Sequence, residues 1–106
     1  GGLLQTLSIY NMLSDHDITH GLKIAGTGTI NYDGSVGYIG GVKQKIITAY
    51  ESKVDVFFIP YLGDVSYDNY LEAVNVCEAY GIEYESWLVP IASFQEAIDY
   101  LEGLDD

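Results

Sequence analysis

The chain has 106 residues, with 16 acidic side chains against four basic ones, no arginine and a formal net charge of −12. Nucleic-acid backbones and anionic membrane surfaces are held by clustered Lys and Arg that displace counterions, so this balance argues against both as partners. A hydrophobic content of 48% is that of a globular chain, and the length allows one domain or a piece of one.

The longest apolar stretch, Val56-Phe57-Phe58-Ile59, is far short of the ~20 residues of a membrane span. No signal peptide is recognisable, and the chain starts Gly1-Gly2 without an initiator methionine. The expectation is a fragment or a processed product.

Leu3, Leu4, Leu7, Tyr10 and Leu13 recur at helical spacing, which predicts an opening amphipathic helix. Ser14-Asp15-His16-Asp17 ends it and begins a polar loop to Gly21. Leu22 to Asn31, rich in threonine and glycine, suits an extended segment whose glycines let a backbone or ligand come close. Asp33-Gly34 reads as a hairpin turn, with a short strand around Val36. Gly37 and Gly40-Gly41 break the extended run and lead into a helix from about Val42 to Ser52.

Val54 to Pro60 is a buried-strand candidate stopped by Pro60. A loop from Tyr61 to Ser66 precedes a helix that runs to about Tyr80, with Gly81 as C-cap. Leu71, Ala73, Val74, Cys77 and Tyr80 supply its expected apolar face. Glu85 to Val89 reads as a short strand ended by Pro90. Ser93-Phe94-Gln95-Glu96 is a capping box opening a last helix that carries Ala97, Ile98 and Leu101. Strand and helix alternate from Lys53 onward, which argues for an α/β arrangement with parallel strands.

Two of the four basic residues stand together in Gly40-Gly41-Val42-Lys43-Gln44-Lys45. Val42, Ile46, Ala49 and Tyr50 form the apolar stripe of this helix. Lys43 lies roughly 60° from its centre and Lys45 roughly 100°. Spacing alone therefore favours Lys43 as the more buried lysine. A helix N-terminus is partially positive, so lysines in this turn do not serve helix stability. A solvated helix charge remains the plain alternative for either one.

Other candidates are weaker. Gly26-Thr27-Gly28 lacks the third glycine and the lysine of a phosphate-binding turn. His16 and His20, with Asp15 and Asp17, could hold a metal, but they fall in a loop rather than on one helix face. Glu72, Glu78, Glu83 and Glu85 look like exposed faces. Cys77 cannot form an internal disulfide and reads as a small buried residue.

The residues from Leu22-Lys23-Ile24-Ala25-Gly26-Thr27-Gly28-Thr29-Ile30 through Asp33-Gly34, Val36-Gly37 and Ile39-Gly40-Gly41-Val42-Lys43-Gln44-Lys45 resemble the proteolytic domain of Lon-type serine proteases. The similarity continues through Phe57-Phe58-Ile59-Pro60, Asn69-Tyr70, Glu72-Ala73-Val74 and Val89-Pro90, covering nearly the whole chain. It is nearest to the ATPase-free Lon-like proteases that carry a PDZ domain and a membrane anchor.

The resemblance implies an α/β (in detail α+β) Lon-like fold for residues 1–106, as the C-terminal part of a proteolytic domain. It implies a serine endopeptidase acting on peptide or protein substrates through a Ser–Lys dyad, with no metal or organic cofactor. Lys45 matches the family's catalytic base. Thr27 matches the threonine beside it, and Lys43 is a neighbour. A lysine starts near pKa 10.4, and burial lowers such a value toward that of a working base. A homo-oligomer, and an extracytoplasmic, membrane-anchored full-length protein, follow from the family branch alone.

Gly2-Leu3-Leu4 aligns with the segment just after the family's serine, so the nucleophile is expected before Gly1 and the 106-residue chain is expected to be inactive by itself. Ser8, Ser14 and Ser35 lack the required setting. A non-catalytic acidic α/β module for binding or assembly is the alternative from a different class.

Overall fold

Val56-Phe57-Phe58-Ile59-Pro60 is buried at every position because it forms the central strand of a three-stranded sheet covered on both faces. The computed structural model describes residues 2–63 and 68–104. In chain order the elements are α1 (Leu3–Leu13), β1 (Ile24–Gly26), β2 (Thr29–Ile30), β3 (Val36–Gly37), α2 (Val42–Glu51), β4 (Val56–Pro60), α3 (Asn69–Tyr80), β5 (Leu88–Ile91) and α4 (Phe94–Glu102). The main sheet has the order β1-β4-β5, and both pairs are parallel, as the alternation of strand and helix predicts. β2 and β3 form a separate antiparallel hairpin.

The pleat of β4 divides the core in two, since successive side chains point to opposite faces. Val56 and Phe58 join Leu3 and Leu7 of α1 and Ala97, Ile98 and Leu101 of α4 on one face. Phe57 and Ile59 join Val42, Ile46 and Ala49 of α2 and Ala73 and Cys77 of α3 on the other. The layers are therefore helix, sheet, helix. Phe58 is completely buried and meets Tyr100 edge to face at 5.8 Å. Truncating it to alanine would cost about 3–5 kcal/mol.

The ends of the helices follow local chemistry. Gly81 takes the left-handed conformation (φ 68°) and closes α3, as the C-terminal glycine predicts. Ser93 Oγ accepts from the Glu96 N–H at 3.2 Å, while the Glu96 carboxylate accepts from the Ala92 N–H at 3.3 Å. The capping box thus forms with its return bond displaced by one residue.

Several expectations are corrected. The extended segment from Leu22 to Asn31 is split into β1 and β2 at Thr27-Gly28, where the chain leaves the parallel sheet for the hairpin. The last strand is Leu88–Ile91 rather than Glu85 to Val89, and Pro90 lies inside it. β5 is an edge strand, where a proline's missing N–H leaves no ladder bond broken. In α3, Leu71 and Tyr80 are exposed, and buried Asn69 takes a place on the inner face. In α1 only Leu3 and Leu7 are buried, while Leu13 faces solvent. Tyr50 leaves the stripe of α2 for the surface. The expected loop from Tyr61 to Ser66 lies outside the described residues from position 64 on. No described helix is long and apolar enough to cross a membrane.

Candidate active site: a cleft between β1 and α2

β1 stands at the edge of the main sheet, with β4 on one side. Between it and α2 lies a cleft of ≈490 Å³. Lys23, Ile24, Ala25, Gly26 and Thr27 line one wall, and Gly41, Gln44, Lys45, Thr48 and Ser52 line the other. Thr27 and Lys45, eighteen positions apart in the chain, therefore share one concavity.

The placement of Lys45 begins at Gly41. This residue is the N-cap of α2 and holds a left-handed conformation, φ 68° and ψ 31°, which costs a residue with a Cβ about 1–2 kcal/mol. The turn closes through the Lys45 N–H, which donates to the Gly41 carbonyl at 3.2 Å. Helical side chains lean back toward the N-terminus. A Cβ built on Gly41 would stand 3.7 Å from Lys45 Nζ, so the lysine folds back over the mouth of its own helix.

The placement of Thr27 begins in the sheet. Its N–H donates to the Phe58 carbonyl at 3.1 Å, continuing the β1–β4 ladder one residue past β1. The next residue, Gly28, accepts from the Leu3 N–H at 3.2 Å, and Gly2 bridges to Thr29. Thr6 fixes the same corner, its N–H and Oγ1 both donating to the Gly2 carbonyl. The start of α1 is thereby held beside the residue that lines the cleft.

Lys43 points elsewhere. Its ammonium lies 5.4 Å from the centroid of the Tyr80 ring. Hydrogen bonding and charge interaction with the Tyr80 hydroxyl hold its pKa above the ordinary lysine value, which favours the charged form. The wheel's preference for Lys43 as the more buried lysine is not seen, because both lysines are exposed. They differ in direction rather than depth.

The histidine loop resolves into separate jobs. His16 lies between Asp15 (2.6 Å) and Glu102 (3.1 Å), tying the end of α1 to the end of α4. His20 Nε2 is 2.6 Å from the Leu101 carbonyl. The two rings do not converge on one point, and the described residues contain no group of three or more potential metal ligands. Glu83 accepts from the Ser86 N–H and hydroxyl, which lowers its pKa. Cys77 is fully buried, and desolvation, with smaller contributions from Glu83 and Glu78, raises its thiol pKa.

Two residues of this region escape a reading of the sequence. Lys23 lines the cleft and donates from Nζ to the Ser52 carbonyl at 2.7 Å, where α2 ends. Asn69, fully buried, bonds both backbone groups of Ile39. Neither has a spacing signal, since each acts on a partner about thirty residues away.

The chain is thus an α/β domain with a parallel sheet between two helical layers and a cleft at its edge that Lys45 and Thr27 both line. The sequence model of the Lon protease (S16) C-terminal proteolytic domain matches residues 1–75, and the chain belongs to that family of serine proteases. The chain is 37% identical over 73 residues to a protein described as Lon protease from Ureaplasma parvum serovar 3 (strain ATCC 27815 / 27 / NCTC 11736). That match takes in 69% of the chain, which spans 8% of the length of the curated relative.

Proposed function

We propose that this chain is part of a serine endopeptidase domain that hydrolyses peptide bonds with a Ser–Lys dyad. Lys45 is the general base, and the nucleophilic serine is supplied by the segment leading into α1. The observation that carries this reading is one cleft lined from β1 and α2, with the start of α1 tied next to it. Thr27 and Lys45 line it, and the start of α1 is pinned to Gly28 beside them.

The chemistry follows from those positions. A free amine at Lys45 Nζ takes the serine proton as the hydroxyl oxygen attacks the peptide carbonyl. The same ammonium returns the proton to the departing amine, leaving an acyl-enzyme that water then hydrolyses. Lysine acts as a base only as the free amine, and removal from water disfavours the ammonium. Lys45 is exposed among the described residues, so the apolar cover comes from bound substrate and the segment bearing the serine. Thr27 holds the amine in line, and Lys43, held charged by Tyr80, stands aside.

The resemblance alone supports three further points: assembly as a homo-oligomer, a PDZ domain, and a membrane anchor with an extracytoplasmic location in the full-length protein. Residues 1–106 by themselves are inactive in this reading.

The test uses the full-length protein with a fluorogenic peptide and a fluorophosphonate probe. Lys45→Ala abolishes turnover and labelling, whereas Lys43→Ala keeps most of both. Near-wild-type turnover in Lys45→Ala overturns the dyad, and labelling of the isolated 106-residue chain overturns its inactivity.

A further inference from the structure

We propose that the cleft selects peptide segments carrying an acidic side chain, and that Lys23 reads that side chain three to five residues from the bond cleaved. The proposal rests on the peptidase reading of the cleft and adds its substrate class.

The charge distribution points this way. The chain has 16 acidic residues and four basic ones. Two of those four, Lys23 and Lys45, line the cleft, and no Asp or Glu is among the described residues that do. Neither side-chain nitrogen forms an ion pair with a carboxylate among the described residues. The other two cations face away, Lys43 toward Tyr80 and Lys53 into a separate hollow beside Trp87. A molecule this acidic repels acidic peptides over most of its surface. The cleft is the exception, and field lines concentrate in such a concavity.

Lys23 is built to stay there. Its N–H donates to the Asp55 carboxylate at 2.8 Å, and the Asp55 N–H donates back to its carbonyl at 2.8 Å. The Nζ–Ser52 bond uses one of three ammonium donors, leaving two for a substrate carboxylate. The plain role of that bond is to cap the C-terminus of α2, where a cation is favoured. Capping and recognition use different donors of the same group, so a test must separate them.

The helix supplies a ruler. Ser52 lies seven residues beyond Lys45 and eleven beyond Gly41, toward which the Lys45 amine folds. At 1.5 Å per residue, the two side-chain nitrogens are about 10–16 Å apart along α2. An extended peptide covers that distance in about three to five residues.

The experiment compares kcat/KM of the full-length protein on matched fluorogenic peptides. Each has Glu, Gln or Lys at one of the positions three to five residues on either side of the scissile bond. At one of these positions Glu is cleaved about three- to fivefold better than Gln, and Lys worse than Gln, with the preference shrinking as salt rises. Lys23→Gln abolishes the Glu/Gln ratio, Lys23→Glu inverts it and Lys23→Arg retains it. A role in capping alone would change stability and leave the ratio in place. A wild-type enzyme with no preference for Glu, or a Lys23→Gln enzyme that keeps one, overturns the proposal. If Lys45→Ala is dead and the Glu preference is missing, only this inference falls. If Lys45→Ala is active, the dyad falls first.

Discussion

Asn69 grips Ile39 by both ends of its amide. Its Oδ1 accepts from the Ile39 N–H at 2.9 Å, and its Nδ2 donates to the Ile39 carbonyl at 3.0 Å. Ile39 is the residue before Gly40-Gly41, so the first residue of α3 fixes the approach to the turn that carries Lys45. A buried amide here satisfies two backbone groups that no strand or helix serves.

Replacing Asn69 by leucine therefore removes a side chain of similar size and strands both groups of Ile39. Each stranded group costs about 1–3 kcal/mol, and the expected loss is on the order of 2–4 kcal/mol in urea unfolding. Asn69→Asp keeps the acceptor but sets a carboxylate oxygen against the Ile39 carbonyl, so it is also destabilising. Amide hydrogen exchange checks the location, with the largest loss of protection at Ile39 to Val42. Uniform loss across the sheet would show that Asn69 supports packing in general rather than this turn.

Gly40 and Gly41 are adjacent but unequal. A Cβ on Gly40 meets nothing within 4 Å, and its φ is not positive, whereas Gly41 sits at φ 68°. Gly41→Ala is expected to lose about 1–2 kcal/mol through backbone strain and to lower peptidase turnover, since relaxing that strain moves the first turn of α2. Gly40→Ala should be close to neutral in both. Thermal unfolding and turnover of the two variants side by side give the answer, and equal effects would remove the special status of Gly41.

The contrast between these glycines explains what the sequence disclosed. The Gly40-Gly41 break, the helix after it, the fully apolar β4 and the Ser93–Glu96 cap were legible because each is set by neighbours within four residues. The register of β5 was not legible, because Pro90 is tolerated only once Leu88–Ile91 is known to be an edge strand. The wheel around α2 ranked Lys43 as the more buried lysine because it counts depth. The structure instead separates the two lysines by direction, toward Tyr80 or back over Gly41 at the cleft. Thr27 itself came from the family motif. Lys23 and Asn69 stayed hidden, since their partners Ser52 and Ile39 lie about thirty residues away.

His16 supplies a pH dependence. Hydrogen bonds to Asp15 and then Glu102 raise its pKa above the ordinary histidine value, while the bond to His16 lowers that of Asp15. A histidine raised in the folded state adds stability that is complete below its unfolded value, about 6.5. That stability is lost as pH rises through the folded-state value. The melting-temperature advantage of wild type over His16→Gln should therefore be largest in mild acid, below the unfolded value, and fade as the pH rises through the raised folded-state value. The Asp15 contribution behaves oppositely and is lost only in stronger acid. Both groups are solvent-exposed, so the effect is small and is screened by salt. An advantage that grows with pH would contradict the ion-pair geometry.

Thr27 offers the sharpest separation of fold from chemistry. Its structural bond comes from the backbone, the N–H to the Phe58 carbonyl, which any residue except proline can make. Its hydroxyl is therefore free to serve the cleft. Thr27→Val keeps the β-branched shape that suits a strand end and deletes only the oxygen. Unfolding should change by less than about 1 kcal/mol, the usual scale for a surface substitution away from special features. If the hydroxyl orients the Lys45 amine, kcat of the full-length enzyme falls about 10- to 100-fold with KM nearly unchanged, the mark of an interaction made in the transition state. Thr27→Ser should restore most of the rate, because it returns the oxygen without the methyl group. A Thr27→Val enzyme with wild-type kcat would leave Lys45 to work without this partner, and the dyad would then need another group to hold its amine.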